Sequence, residues 1–209
     1  MNAGSDYLLI VEDDPDILKL LQTTLTFKGY RVITAHNGRE GLDIIRAERP
    51  AIVIADIMMP KLDGFGLVHR LRLSSETCDI PVVFITATYV APEDKEFALD
   101  IGATRFLQKP VDLEIFLKTV AELLESDLPV SMEPMREQSF YDGYRKRLQL
   151  KLDQKNKQIA REEHLLKTRA DENNDDLLAS LHHAINEREE IKLLLDQVQE
   201  QIEKFDRSD

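Results

Sequence analysis

The chain has 209 residues, a net charge of −12 and one cysteine, Cys78. The acidic balance excludes broad non-specific binding to nucleic acid, whose phosphates repel an acidic surface, and a single cysteine excludes an intramolecular disulfide. No apolar run approaches the roughly 18 residues of a membrane-spanning helix, and residues 1–6 lack the basic and then apolar pattern of a secretory signal, so we expect a cytoplasmic protein with no membrane partner.

Residues 7–126 alternate between short apolar runs and amphipathic stretches. The apolar runs predict five strands, at 7–11, 30–34, 51–55, 82–86 and 105–107. The spacing of apolar residues between them predicts five helices, at 15–28, 39–48, 65–73, 93–101 and 113–125. Five strand–helix units of this size predict an α/β fold with a doubly wound, five-stranded parallel sheet.

The chain beyond this sheet has a different composition. Residues 127–140 contain Pro129 and Pro134 and predict a linker between a first domain, residues 1–126, and a helical coiled-coil region, residues 141–209. No proline follows the linker. The pattern indicates two long helices, at about 136–170 and about 175–206.

The second of these helices carries a heptad pattern over about four repeats. Its two series of positions are Leu181, Arg188, Leu195, Ile202 and Leu177, Ala184, Ile191, Val198, Phe205. The two helical stretches also differ in charge: residues 136–170 have ten Lys/Arg against five Asp/Glu, or +5, and residues 171–209 have four against twelve, or −8. Opposite charge favours packing one stretch against the other, either within one chain or across a dimer.

Polar side chains stand where four of the predicted strands end. In chain order they are Glu12 and Asp13, Asp56, Thr86, and Lys109. The carboxyl ends of parallel strands lie at one edge of a sheet, where ligands bind in such folds. We therefore expect these five side chains to form one site.

The chemistry of that set points to a divalent cation and a phosphoryl group. Three crowded carboxylates repel each other, which favours binding of an oxygen-seeking cation such as Mg²⁺ or Mn²⁺. Asp56 is the candidate nucleophile toward phosphorus, with Lys109 neutralising the phosphoryl oxygens and Thr86 donating its hydroxyl to one of them. Pro110 after Lys109 allows a cis peptide bond that would aim the lysine.

These residues also have ordinary structural explanations. Asp56 alone is a potential helix cap, and Glu12, Asp13 and Asp14 before Pro15 have the composition of an acidic helix start. We expect Asp14 to have that capping role even where the others are functional. A metal-dependent phosphatase or hydrolase is the alternative function, since such enzymes also use aspartates at strand ends.

Residues 7–126 resemble the receiver domain of two-component response regulators, which has a flavodoxin-like fold. The matching segments, in the same order and spacing, are LLIVEDDPD (8–16), DIMMPKLDG (56–64), VVFITA (82–87) and FLQKP (106–110). The resemblance implies that Asp56 accepts phosphate from a histidine kinase or phosphotransfer protein. It implies weak self-catalysed phosphorylation and dephosphorylation at most, and so no enzyme in the usual sense.

The resemblance also assigns the remaining positions. Glu12 and Asp13 would hold the metal together with Asp56 and the backbone carbonyl of Met58, and Phe106 would be the aromatic switch that changes rotamer when the threonine moves. Glu12 departs from the many members that carry aspartate there, which would alter metal geometry or the rate of dephosphorylation.

The helical region is where the output of such a protein would lie. We interpret it as a homodimerisation and partner-docking coiled coil. A second interpretation is a DNA-binding regulator that uses the basic first helix, from Arg145 to Arg161, although its basic residues are spread around the helix and nucleic acid is the less expected partner. A third is a signalling helix that leads to an output domain beyond residue 209.

Overall fold

The structure, a computed structural model, describes residues 7–87, 89, 91–125, 135–168 and 174–207, the side chains of 205 and 206 excepted. The chain divides into two units, residues 1–135 and 136–209. Most of the predicted linker, residues 127–134, lies outside the described residues. Its last four residues belong to a helix that begins at Glu137, which agrees with the helix predicted at about 136–170.

The first unit contains five parallel strands in the order β2-β1-β3-β4-β5. The strands are Tyr7–Val11 (β1), Arg31–Ala35 (β2), Ile52–Ala55 (β3), Val82–Thr86 (β4) and Arg105–Gln108 (β5). The helices between and after them are Pro15–Phe27 (α1), Gly38–Ala47 (α2), Gly64–Arg72 (α3), Pro92–Asp100 (α4) and Leu113–Glu125 (α5). This order confirms the doubly wound α/β fold, and each element ends within one residue of its predicted limit.

Burial explains why the central strands read as continuous apolar runs. Every residue of β1, β3 and β4 is buried, because helices cover both faces of the sheet. On one face, side chains such as Ile10, Ile54 and Ile85 form a core with Leu21 of α1 and Phe116 of α5. The sheet edge that carries the polar side chains is therefore held by a rigid core.

Aspartate caps fix the helices that leave this edge. The side chain of Asp14 accepts hydrogen bonds from the backbone N–H groups of Asp16 and Ile17, with Pro15 in the first turn, as expected for Asp14. The side chain of Asp63 accepts a hydrogen bond from the N–H of Gly66 at the start of α3. Each cap satisfies backbone donors that the helix itself leaves open.

A buried arginine joins α3 to the turn before β5. Arg72 is 2 % exposed and donates two hydrogen bonds to the carbonyl oxygen of Gly102, from Nε at 3.0 Å and Nη2 at 2.6 Å. Gly102 has a φ of +105°, and a Cβ placed there would lie 2.6 Å from Arg72 Nε. The turn therefore requires glycine both for its backbone conformation and for the space that Arg72 fills.

We expect Gly102→Ala to lower the free energy of unfolding by about 3 kcal/mol, because it combines left-handed backbone strain with displacement of a buried, hydrogen-bonded cation. Gly29→Ala is the matched control, since Gly29 also has a positive φ, +88°, but nothing lies within 4 Å of its added Cβ. That control should cost only about 1 kcal/mol in urea denaturation. Equal losses of unfolding free energy in the two variants would show that the Arg72 side chain moves away from the added Cβ without cost.

The second unit is an antiparallel hairpin of two helices, Glu137–Thr168 (α6) and Asp175–Asp206 (α7). Ser180 Oγ donates to Glu162 Oε1 at 3.0 Å, and Lys155 Nζ lies 2.5 Å from Glu187 Oε2. A step of seven residues back along α6 thus corresponds to seven residues forward along α7, which defines antiparallel packing. The opposite charges of the two stretches meet within one chain.

The core of the hairpin includes four of the predicted heptad positions of α7, which are Leu181, Ala184, Ile191 and Val198. It also includes Leu194, which the pattern did not predict, whereas the predicted Leu195 is only half-buried. The buried apolar side chains are Phe140, Tyr144, Leu148 and Ile159 on α6, and Leu181, Ala184, Ile191, Leu194 and Val198 on α7. Phe205 lies outside the described side chains. The apolar heptad face of α7 thus packs against α6 of the same chain. The homodimer expected from the heptad pattern stays a prediction. Within the described ranges, no helix is both long and apolar enough to cross a bilayer.

Candidate functional site

Backbone hydrogen bonds align the strand ends that carry the polar side chains. The N–H of Glu12 donates to the carbonyl oxygen of Ala35 at 3.0 Å, and the N–H of Asp56 donates to the carbonyl oxygen of Val11 at 2.9 Å. On the other side, the N–H of Lys109 donates to the carbonyl oxygen of Thr86 at 2.9 Å. The parallel ladder therefore brings together residues that lie far apart in the sequence.

Lys109 bridges two of the carboxylates. Its Nζ lies 2.6 Å from Asp56 Oδ2 and 2.8 Å from Glu12 Oε2. All three side chains are at most 10 % exposed, so these are charge-assisted contacts between largely buried groups. The bond between Lys109 and Pro110 is cis.

The second oxygen of Asp56 is held by the backbone that follows it. Asp56 Oδ1 accepts hydrogen bonds from the N–H groups of Ile57, at 2.5 Å, and Met58, at 3.3 Å. These contacts fix the orientation of the carboxylate, with Oδ2 directed at Lys109. The predicted role of the Met58 carbonyl as a metal ligand stays a prediction.

Three carboxylates converge in a way that suits a hard cation. Glu12, Asp13 and Asp56 each offer an oxygen atom, and these atoms lie within 4.8 Å of one another. Glu12 and Asp56 are buried, whereas Asp13 is exposed and opens the cluster to solvent. Converging carboxylate oxygens with access for water are the ligands that Mg²⁺ uses in proteins, so the residues present fit that ion.

Burial and mutual repulsion change the acidity of the cluster. Burial, followed by the negative charge of Asp56, raises the pKa of Glu12 to about 7, and Lys109 only partly offsets this rise. Burial and Asp56 raise the pKa of Asp13 in the same way. For Lys109, burial alone would lower the pKa, but the charges of Asp56 and Glu12 outweigh it and the pKa is raised. Without a bound cation the site therefore carries uncompensated negative charge.

The raised pKa of Glu12 predicts a pH-dependent stability in the absence of divalent metal. Between its usual pKa of 4.5 and about 7, Glu12 is protonated in the folded chain and ionised in the unfolded one. The folded state binds more protons there, so the free energy of unfolding falls as pH rises across that window, by about 3 kcal/mol for this group. Urea denaturation with a chelator at pH values from about 4.5 to 8 measures the slope.

Glu12→Gln is the matched variant, because glutamine has the size of the protonated side chain and does not titrate. Its stability should fall less steeply over the same pH range. Identical slopes for the two proteins would show that Glu12 titrates near its ordinary value.

Thr86 and Phe106 complete the set of predicted residues. Thr86 is fully buried at the end of β4, and Phe106 is half-buried on β5. The structure adds Lys95, which was not anticipated: its Nζ lies 5.5 Å from the centre of the Phe106 ring. No spacing in the sequence signals this contact, because it depends on how α4 packs beside β5.

Comparisons with known proteins agree with this geometry. The family profile described as "Response regulator receiver domain" matches residues 8–121. "Probable transcriptional regulator ycf27" of Porphyra purpurea is 41 % identical over 123 residues, which are 57 % of this chain and 49 % of that protein. "Response regulator MprA" of Mycolicibacterium vanbaalenii is 38 % identical over 122 residues, 58 % of this chain and 52 % of that protein. The chain thus spans about half the length of the curated relatives it matches.

Solved structures show the same fold. The chemotaxis protein CheY4 of Vibrio cholerae has a TM-score of 0.55 and 34 % sequence identity, and the match covers 58 % of this chain and 100 % of that one. A putative response regulator from Chloroflexus aurantiacus has a TM-score of 0.56 and 30 % identity, and covers 59 % of this chain and 100 % of its own. Both matches cover little more than half of this chain.

Proposed function

Because the chain belongs to the response regulator receiver family, we propose that it is the phosphoacceptor of a two-component phosphorelay and that Asp56 receives the phosphoryl group. Membership of the family implies a histidine kinase or a phosphotransfer protein as the donor. The observation that carries the proposal is the contact of Lys109 Nζ with Asp56 Oδ2, at 2.6 Å, beside the carboxylates of Glu12 and Asp13.

The transfer needs a nucleophile and a way to neutralise charge. An oxygen of the ionised Asp56 attacks phosphorus, the bond from phosphorus to the donor's histidine nitrogen breaks, and that nitrogen keeps the electron pair. The product is an acyl phosphate on Asp56. A bound Mg²⁺, held by Glu12, Asp13 and Asp56, would neutralise charge on the phosphoryl oxygens.

The remaining side chains act on the product. Lys109 already lies against Asp56, so a small movement brings its ammonium to a phosphoryl oxygen. Thr86, at the end of the neighbouring strand, donates a hydrogen bond from its hydroxyl group to a second phosphoryl oxygen. The added charge of about −1.5 to −2 would draw Thr86 toward it and make room for Phe106 to turn inward.

This chemistry is stoichiometric, so we propose a phosphoacceptor and not an enzyme that turns over a substrate. Incubation of the full chain with radiolabelled acetyl phosphate and Mg²⁺ tests it. We expect acid-stable, base-labile label approaching one phosphate per chain, and loss of labelling when the metal is chelated. Sustained phosphate release without retained label would support the phosphatase alternative instead.

The proposed output passes through the helical hairpin. We propose that phosphorylation changes the pairing or exposure of α6 and α7, which then dimerise or dock a partner. Sedimentation of the full chain with and without beryllofluoride, a mimic of the phosphoryl group, measures this change. Identical sedimentation and cross-linking in both states would contradict it.

A DNA-binding output is checked separately. Lys155 of the basic helix already pairs with Glu187, which would compete with phosphates for it. A mobility-shift assay over a range of salt concentrations distinguishes the two outputs, since phosphate contacts weaken steeply with salt.

A further inference from the structure

The ring of Phe106 lies on the same side of the sheet as Thr86. In the parallel pairing of β4 and β5, Phe84 is opposite Phe106 and Thr86 is opposite Gln108. Paired residues of a parallel ladder point to the same side, and alternate residues of a strand share a side. Phe84 packs there against Phe65 of α3, with ring centroids 5.7 Å apart. A ring at position 106 therefore reaches toward Thr86 or outward to solvent on one side of the sheet.

The outward side of this ring is covered by a lysine. Lys95, on the exposed face of α4, places its Nζ 5.5 Å from the centre of the Phe106 ring. That distance is within the range of about 6 Å over which an ammonium is attracted to the negative face of an aromatic ring. Phe106 is half-buried, so the contact lies at the surface and is available to be broken.

We propose that Lys95 is a positioning residue that holds Phe106 in its half-exposed rotamer and so opposes the phosphorylated state. The proposal rests on the proposed phosphoacceptor function. A ring that turns inward toward Thr86 moves away from the ammonium, so the contact stabilises only the state in which the ring lies outside. Its loss shifts the balance toward the inward rotamer, and any ligand that favours that rotamer then binds more tightly.

The test compares Lys95→Met, which keeps the length of the side chain and removes its charge, with Lys95→Arg, which keeps the charge. The full chain is labelled with fluorophenylalanine, and the resonance of Phe106 is identified by its absence in Phe106→Leu. Beryllofluoride with Mg²⁺ is the probe, followed by fluorine NMR. Lys118→Met is the matched control, because Lys118 is an exposed lysine on α5 that pairs with Glu122.

We expect Lys95→Met to shift the Phe106 resonance in the free protein and to lower the half-saturating beryllofluoride concentration about two- to five-fold. Lys95→Arg should retain the wild-type values, and so should Lys118→Met. In the Phe106→Leu background, Lys95→Met should have no further effect, because a double-mutant cycle isolates the pair.

Two results would overturn the proposal. An unshifted Phe106 resonance in free Lys95→Met would show that the lysine does not hold the ring. An equal change in affinity with and without the ring would show that Lys95 acts only through its charge. If the wild-type chain fails to bind beryllofluoride, the phosphoacceptor function fails, while the resonance of the free protein still decides the role of Lys95.

Discussion

Asp56→Asn is expected to reduce labelling by acetyl phosphate to background. An amide cannot replace the ionised carboxylate as a nucleophile toward phosphorus. The other carboxylates are poor substitutes: Glu12 is 1 % exposed and paired with Lys109, and Asp13 is exposed to solvent instead of lying against Lys109 as Asp56 does. Acid-stable, base-labile label after incubation with Mg²⁺ is the measurement.

The fold should survive this substitution. Asparagine has the shape of aspartate, and its Oδ1 can still accept from the N–H groups of Ile57 and Met58. Circular dichroism checks the fold of the variant. Asp43→Asn, on the exposed surface of α2, is the matched control and should label like the wild-type chain. Full labelling of Asp56→Asn would show that another residue is the phosphoacceptor.

The sequence predicts the sheet well because its signals are local. The strands of the first unit are apolar runs bounded by polar groups, and parallel pairing places their carboxyl ends at one edge. That geometry is enough to bring Glu12, Asp56 and Lys109 together, although Glu12 and Lys109 are 97 residues apart in the sequence. The heptad pattern likewise identifies the face that α7 buries, because helical periodicity alone decides which side chains share a face.

The sequence does not decide between tertiary arrangements that satisfy the same local pattern equally well. A heptad pattern fits a dimer or an intrachain hairpin equally well, and contacts between the two helices, such as Lys155 with Glu187 and Ser180 with Glu162, identify the hairpin. The contact of Lys95 with Phe106 and the burial of Arg72 depend on the packing of α4 and α3, which no periodicity encodes. The clearest functional signal in the sequence was the set of polar residue types at the strand ends. The contacts that neighbouring helices make around that site could not be predicted from the sequence.

Lys109→Met is expected to slow phosphorylation by acetyl phosphate about 100- to 1,000-fold. The variant lacks the fixed cation that lies against Asp56 and meets the charge that develops on the transferred group. Methionine fills most of the volume of the lysine stem, so the sheet edge should remain intact. The initial rate of labelling at saturating Mg²⁺ is the measurement, and Lys118→Met, a substitution of the same kind at a surface position, should leave it unchanged.

The same variant separates two roles of Lys109 through its effect on metal binding. Removing a positive charge from a cluster of three carboxylates strengthens their attraction for a divalent cation, so Mg²⁺ should bind more tightly at pH values well above the pKa of Glu12. Slower phosphorylation together with tighter Mg²⁺ binding would show that the lysine acts on the phosphoryl group. An unchanged rate with tighter Mg²⁺ binding would show instead that Lys109 only balances the charge of the metal-free site, and that the cation alone neutralises the transferred group.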